Sequence, residues 1–110
     1  MARDGSDLLH GTLDILVLKT LSWRPMHGYA VAEWIEQHGG GDLVIVDAAL
    51  YKALHRLEDA GAITSEWGTS DSNRRAKYYS LTTRGRAQLR AEAATWRRYA
   101  VAVGRILETR

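Results

Sequence analysis

Apolar and polar positions separate most clearly in the middle of the chain. In residues 47–61, leucines recur at a spacing that places them on one side of a helix; they are Leu50, Leu54 and Leu57. The opposite side is small, polar or basic and consists of Ala48, Lys52, His55, Arg56 and Asp59, with Tyr51 at its edge. Asp47 is a favourable N-cap residue, and Gly61 stands where a left-handed C-terminal cap is expected. The pattern predicts a short amphipathic helix with a basic outer side.

The hydrophobic period changes directly after this helix. Residues 63–67 and 77–81 are short runs with β-branched or aromatic residues in rough alternation, and turn-forming residues dominate residues 68–76. We therefore expect a β-hairpin with a long polar tip, whose far side carries Arg74, Arg75 and Lys77. A basic helix followed by a basic hairpin is typical of a winged helix, in which the helix enters the major groove and the hairpin lies on the phosphates.

The N-terminal half predicts two further helices. The first lies within residues 8–21, with a start expected near Thr12, and it is apolar almost all round. One face consists of Leu13, Leu16, Val17 and Leu21, and a second face of Ile15 and Leu18. A helix that is apolar on both sides needs two partners, so we expect the first face to enter the core and the second to meet another chain.

A turn at residues 23–29 leads into the second helix, which is expected to end at His38 because three glycines follow. Residues 43–46 form a short extended run before the central helix. The order of elements is then three helices followed by two strands, as in a winged helix.

The last segment of the chain carries a heptad-like seam. From Thr83 onward, apolar residues alternate spacings of four and three at Leu89, Ala93, Trp96, Ala100, Val103 and Leu107. A helix of about 25 residues would be roughly 37 Å long, which exceeds what a domain of this size can cover. We therefore expect a two-fold homodimer along this seam. The predicted fold is mainly α (α+β), with a winged-helix domain in residues 1–82 and a dimerisation helix in residues 83–110.

Composition and charge distribution are compatible with this assignment. The chain has 110 residues, no cysteine and a formal net charge of +2, so it holds one domain with a modest core. Residues 1–46 carry 3 Lys/Arg and 6 Asp/Glu, whereas residues 47–110 carry 12 and 7, so the basic surface lies in the half with the recognition helix and hairpin. No apolar run approaches the roughly 20 residues of a membrane span, and no signal peptide is recognisable, so we expect a cytoplasmic protein.

Several segments resemble the PadR family of bacterial transcription regulators, and the match runs nearly end to end. The matching residues are 11–21, 26–29 (Met-His-Gly-Tyr), 49–51, 54, 56–58 (Arg-Leu-Glu), 61, 77–79 (Lys-Tyr-Tyr), 81–85 (Leu-Thr-Thr-Arg-Gly) and 89. The Met-His-Gly-Tyr segment and the exit of the hairpin together carry most of the specificity. The length and the single tail helix resemble the short subgroup of the family.

The resemblance implies a homodimeric winged-helix repressor that binds a palindromic operator in double-stranded DNA and is released by a small ligand or a cellular signal. Our hypothesis is that Tyr51, Lys52 and His55 approach the major groove. Phosphate contacts are then expected from His27, Tyr29, Arg74, Arg75 and Lys77.

Multidrug-responsive members of this family place a tail-helix tryptophan in a flat central pore, and Trp96 falls at a matching place. The resemblance thus implies a planar apolar or cationic effector in a pocket formed by Leu8, Ile15, Ala93, Trp96 and Ala100. From the residues alone, Trp96 is equally well explained as a plain anchor of the dimer interface.

The chain departs from the family pattern at residues 48–49. Family members usually carry Gly-Thr or a similar polar pair before the Leu-Tyr of the third helix, whereas this chain has Ala48 and Ala49. The change removes a hydroxyl from the end of the helix that is expected to face DNA.

Other functions are weighed against DNA binding. A winged helix that only binds proteins would not need a basic hairpin tip, and an RNA-binding winged helix would be distinguished by competition between duplex DNA and RNA. An enzyme is disfavoured, because no phosphate loop or nucleophile elbow is present. The four histidines, His10, His27, His38 and His55, are scattered without metal-ligand spacing. We therefore expect no cofactor and no metal.

Overall fold

The computed structural model describes the backbone of residues 5–110 and the side chains of residues 12–110. In this part of the chain, four helices and three strands follow in the order α1 (Gly5–Leu21), β1 (Met26–His27), α2 (Gly28–His38), α3 (Asp47–Asp59), β2 (Ile63–Thr69), β3 (Arg75–Leu81) and α4 (Thr83–Leu107). The arrangement confirms the mainly α, α+β fold class, with a winged helix and a long C-terminal helix.

Helix α1 lies at the centre of the fold, where it contacts α2, α3, β3 and α4. Its predicted core residues Leu13, Val17 and Leu21 are buried. Leu18 is fully buried as well, so its assignment to a face that meets a second chain was wrong. The reason is that the other elements of the same chain cover α1 on several sides. Ile15, on the same predicted face, is half-buried.

Three helix starts differ from the prediction. Helix α2 begins at Gly28, inside the expected turn at residues 23–29. Helix α1 begins at Gly5 rather than near Thr12, and it continues through Gly11. A glycine inside a helix costs only about 1 kcal/mol relative to alanine, which neighbouring turns can offset. The N-cap of α3 is Val46, without a side-chain cap, and not Asp47. Asp47 is instead the first helical residue, where its carboxylate lies at the positive end of the helix dipole.

The end of α3 agrees with the prediction. Gly61 has a φ of +79°, in the left-handed region that favours glycine. The N–H of Ala62 donates to the carbonyl oxygen of Leu57 at 2.9 Å, and the N–H of Gly61 donates to that of Glu58 at 3.0 Å. This is the Schellman arrangement, which ends the helix and turns the chain directly into β2.

The sheet is antiparallel, with the strand order β1-β3-β2. The predicted hairpin is present, but its pairing extends from Ile63 opposite Leu81 to Thr69 opposite Arg75. The tip is therefore confined to residues 70–74, shorter than expected. Strand β1, which pairs with Tyr78 and Tyr79, was interpreted as part of a turn. A strand of two residues is too short to show any alternation.

The segment between α2 and α3 does not join the sheet. Gly40 and Gly41 have φ values of +68° and +89° and end α2 as expected. The extended run at residues 43–46 contributes Ile45 to the core, and its N–H donates to a carboxylate oxygen of Glu36 at 2.9 Å.

Helix α4 begins at Thr83, as predicted, and ends at Leu107, three residues before the predicted end. Thr82 is the N-cap, and its Oγ1 accepts a hydrogen bond from the N–H of Gly85 at 3.0 Å. Near its start α4 packs on the domain through the half-buried Leu89. Large apolar side chains of its distal part are exposed, namely Trp96, Tyr99, Val101, Ile106 and Leu107. The molecule measures 55 × 29 × 22 Å, so this helix of roughly 37 Å accounts for much of its longest dimension.

Candidate nucleic-acid interface

Helix α3 presents one exposed stripe and one buried stripe. Leu50, Ala53, Leu54 and Leu57 are buried, as the periodicity predicts. On the opposite side Ala48, Lys52 and His55 are exposed, and Asp59 continues the same stripe at the C-terminal end. A carboxylate there would repel phosphates, so the first three turns of α3 form the side that is suited to nucleic acid.

The two alanines before Leu50 have different environments. Ala48 lies on the exposed stripe, whereas Ala49 is half-buried and packs against the core. Ala49 also lines a groove of about 410 Å³ between α1 and α3, together with Leu13, Asp14, Lys52 and Arg56. Across this groove Arg56 forms an ion pair with Asp14 at 2.6 Å. Of the two positions that depart from the family pattern, only residue 48 therefore lies on the exposed stripe.

Tyr51 stands at the flank of α3 and leans toward the start of α2. A methyl group added at Gly28 would lie 2.8 Å from the Tyr51 hydroxyl oxygen, so the ring packs directly on the glycine. His27 is the N-cap of α2, since its Nδ1 accepts a hydrogen bond from the N–H of Ala30 at 3.2 Å. A neutral histidine that accepts through Nδ1 carries its proton on Nε2, which can donate outward. Tyr29 is exposed beside it. Thus Tyr51, His27 and Tyr29 come together at one end of α2.

The hairpin turns one of its faces toward α3. Successive side chains of a strand alternate between faces, so Trp67, Arg75 and Lys77 share the face of the buried Ile63 and Tyr79. Trp67, Arg75 and Lys77 lie beyond the edge of the core, on the part of the hairpin that projects from the domain. Arg75 and Lys77 are consequently on the face of the hairpin that is turned toward α3.

The three basic hairpin residues have distinct surroundings. Arg74 is exposed at the tip, where Asn73 adopts a left-handed conformation with a φ of +62°. The guanidinium of Arg75 lies 4.7 Å from the ring centroid of Trp67, a cation–π contact that restricts its freedom. Lys77 points back to the domain, with its Nζ 3.6 Å from Oε1 of Glu58.

Three residues of this surface were not among the predicted contact residues, although Arg56 was placed on the basic side of α3: Arg56, Glu58 and Trp67. The contacts of Glu58 and Trp67 depend on the strand register of the hairpin, which the overlong predicted tip left undefined. Arg56 meets Asp14 across 42 positions of sequence, a distance that no local pattern reveals.

The residues assigned to an effector pocket lie on α1 and α4, which contact each other. Ile15 and Ala93 are half-buried, Ala100 is exposed, and Trp96 is 44 % exposed. The side chain of Leu8 lies outside the described residues. Tyr99, not included in the prediction, is 62 % exposed, and its ring centroid lies 6.2 Å from that of Trp96.

The described residues contain no group of three His, Cys, Asp or Glu side chains that could hold a metal ion. Over the same residues, none of the helices combines the length and the apolar character that a membrane crossing requires. The prominent surface chemistry is therefore the basic and aromatic surface of α3, α2 and the hairpin, together with the exposed seam of α4.

Similar proteins share this fold over most of the chain. The structure of a PadR family transcriptional regulator from Eggerthella lenta DSM 2243 is 38% identical in sequence, with a TM-score of 0.79, over 94% of this chain and 88% of that one. A transcriptional regulator from Clostridium thermocellum is 25% identical, with a TM-score of 0.84, over 93% and 99% of the two chains. Bacillus subtilis PadR, solved in complex with operator DNA, shares the fold at 23% identity and a TM-score of 0.65, over 74% of this chain and 46% of that one.

A family profile gives the most direct assignment. Residues 17–91 match the profile described as the transcriptional regulator PadR-like family. This segment covers more than half of the chain and includes α2, α3, the whole sheet and the start of α4. The protein therefore belongs to the PadR-like family of transcriptional regulators.

Proposed function

We propose that this transcriptional regulator, which is not an enzyme, acts by binding double-stranded DNA in a sequence-specific manner. The observation that carries the proposal is the exposed stripe of α3 together with a hairpin that contacts α3 through Lys77 and Glu58 and carries the exposed Arg74 and Arg75 at its tip. The structure of the Bacillus subtilis relative with operator DNA supports the same mode of action for this fold.

The geometry suggests different roles for the predicted contact residues. Lys52 and His55 lie on the exposed stripe and are suited to base edges in the major groove. Tyr51 lies at the flank against Gly28, nearer to where a phosphate of the same strand would pass. With His27 and Tyr29 it would hold the backbone on one side of α3, while Arg74 and Arg75 hold it on the other.

We propose further that residues 1–82 form the DNA-binding unit and residues 83–110 a dimerisation helix. Two exposed apolar side chains on the predicted seam, Trp96 and Leu107, support this, because exposed apolar patches mark surfaces that bind a partner. A two-fold dimer along the seam of Leu89, Ala93, Trp96, Ala100, Val103 and Leu107 would present two copies of α3 to a palindromic operator, about one DNA turn apart.

The DNA contacts of the hairpin are tested by the double substitution Arg74→Ala/Arg75→Ala. Each lost phosphate contact reduces the magnitude of the slope of log affinity against log salt by about one. The magnitude of the slope should therefore decrease by about two for each hairpin. The operator is first selected from genomic fragments with purified protein, and binding is then measured by fluorescence anisotropy at several salt concentrations.

The matched control is Arg98→Ala/Arg105→Ala, which removes the same charge from exposed positions on α4. Its salt slope should equal that of the unaltered protein. An unaltered protein that selects no duplex would refute DNA binding and favour a protein-interaction module. Equal competition by duplex RNA would instead favour an RNA-binding function.

We also propose that the protein is a repressor whose dimer centre admits a planar cationic effector. Trp96 and Tyr99 offer an exposed aromatic surface on α4. Two exposed aromatic rings are suited to a flat cation, which would stack on them.

Ethidium is a suitable probe of this pocket, because it is planar and cationic. It should quench part of the tryptophan emission of the protein, and Trp96→Ala should abolish most of that quenching. Trp23→Ala is the control, since Trp23 is an exposed tryptophan outside α4. Quenching that persists in Trp96→Ala and disappears in Trp23→Ala would place the dye elsewhere.

A further inference from the structure

Glu58 connects α3 with both strands of the hairpin. Its Oε2 accepts a hydrogen bond from the hydroxyl of Ser65, on β2, at 2.5 Å. Its Oε1 lies 3.6 Å from Nζ of Lys77, on β3. The side chains of Glu58 and Lys77 are 30% and 34% exposed, so water and salt screen this pair less than a fully exposed one.

The surroundings of Tyr79 show how closely these groups are packed. Burial raises the pKa of the Tyr79 hydroxyl, and the nearby charge of Glu58 adds to that effect. The Nζ of Lys77 also lies 5.8 Å from the ring centroid of Tyr79. Lys77 is thus held by a carboxylate and by an aromatic ring at once, and its ammonium group is directed toward the domain.

We propose that Glu58 is a positioning residue that fixes the angle between α3 and the hairpin, with Lys77 as its tether. The inference rests on the proposed DNA binding and gives a function to the Arg-Leu-Glu segment at the end of α3. With the hairpin fixed, the backbone contacts of Arg74 and Arg75 and the base contacts of α3 form in a single register. Each contact then requires less ordering when DNA binds.

The competing role for Lys77 is that of a free cation that binds a phosphate. In that role Glu58 is only a nearby negative charge, and its removal would strengthen DNA binding. In the positioning role its removal loosens the hairpin and weakens DNA binding. The two roles therefore predict opposite signs for one substitution, Glu58→Gln, which changes the size of the side chain very little.

The experiment measures operator affinity for Glu58→Gln, Lys77→Met and the double variant in the full-length protein. Each single substitution should weaken binding about fivefold to tenfold, and the double variant should be no weaker than either single one, because both break the same link. The double substitution Arg74→Ala/Arg75→Ala should reduce operator affinity less in the Glu58→Gln variant than in the unaltered protein. Glu66→Gln is the matched control, since Glu66 is exposed on the opposite face of β2.

A second measurement requires no DNA. Hydrogen exchange of the free protein should show faster exchange for hairpin amides in Glu58→Gln, with α1 and α2 unchanged, which also establishes that the variant is folded. Operator affinity of Glu58→Gln equal to or above that of the unaltered protein, or unchanged hairpin exchange, overturns the positioning role. Failure of the unaltered protein to bind any duplex refutes the proposed function instead, while the exchange measurement still decides whether Glu58 holds the hairpin.

Discussion

Gly85→Ala is expected to destabilise the protein by about 3 kcal/mol or more, at the upper end of what overpacking costs. A methyl group at Gly85 would lie 2.0 Å from the carbonyl oxygen of Ala62 and 2.7 Å from Cδ1 of Leu81. The nearer atom belongs to the backbone and cannot rotate away. The first turn of α4 would have to move, and with it the cap provided by Thr82, whose Oγ1 accepts from the N–H of Gly85.

Thermal unfolding measured by circular dichroism checks this prediction. For a domain of this size the loss corresponds to a fall in Tm of about 10 to 20 °C. Gly104→Ala is the control in the same helix, because no atom lies within 4 Å of a methyl group added there. It should raise stability slightly, since alanine is the better helix former by about 1 kcal/mol. Equal melting temperatures for the two variants would show that the start of α4 yields more easily than its contacts suggest.

Val103→Glu is expected to convert the proposed dimer into a monomer and to weaken operator binding by about two orders of magnitude or more. The substitution places two like charges in the seam, and a monomer loses the gain in effective concentration that comes from binding both half-sites together. Val103 is half-buried on the proposed seam. The winged-helix core should remain intact, because α4 contributes no fully buried hydrophobic side chain to it.

Sedimentation equilibrium gives the association state, and anisotropy on the selected operator gives the affinity. Val101→Glu is matched in chemistry and position, but Val101 is 54% exposed and lies on the opposite side of α4. It should leave both quantities unchanged. A Val103→Glu protein that remains dimeric would remove this seam as the interface, and dissociation by Val101→Glu would place the interface on the opposite side.

Local patterns predicted the parts of the fold that local physics determines. The leucines of α3 and the left-handed Gly61 follow from helix geometry and from the conformational freedom of glycine. The start of α4 follows Thr82, a residue type that caps helices well. Each of these signals is contained within a few turns of the chain, so no tertiary contact was needed to recognise it.

Features set by distant contacts could not be predicted in this way. The burial of Leu18 depends on the elements that surround α1, and β1 exists only because Tyr78 and Tyr79 supply its partner strand. At the candidate site, the sequence identified Lys77 as a basic residue of the hairpin. The direction of its side chain is set by Glu58, nineteen positions earlier in the chain. Composition revealed where the basic residues are concentrated, and only the packing distinguishes a free cation from a tethered one.

The junction between α3 and α4 couples the orientations of the two helices. The Thr82 hydroxyl oxygen lies 2.7 Å from the carbonyl oxygen of Gly61 and 2.9 Å from that of Ala62. The end of α3 and the start of α4 are therefore joined at one point. Because α4 is roughly 37 Å long, a tilt of about 5° at this junction displaces its C-terminal end by about 3 Å. In the proposed dimer, a shift of a few ångströms between the far ends of the two α4 helices would conversely reach each α3 as only a small change of angle.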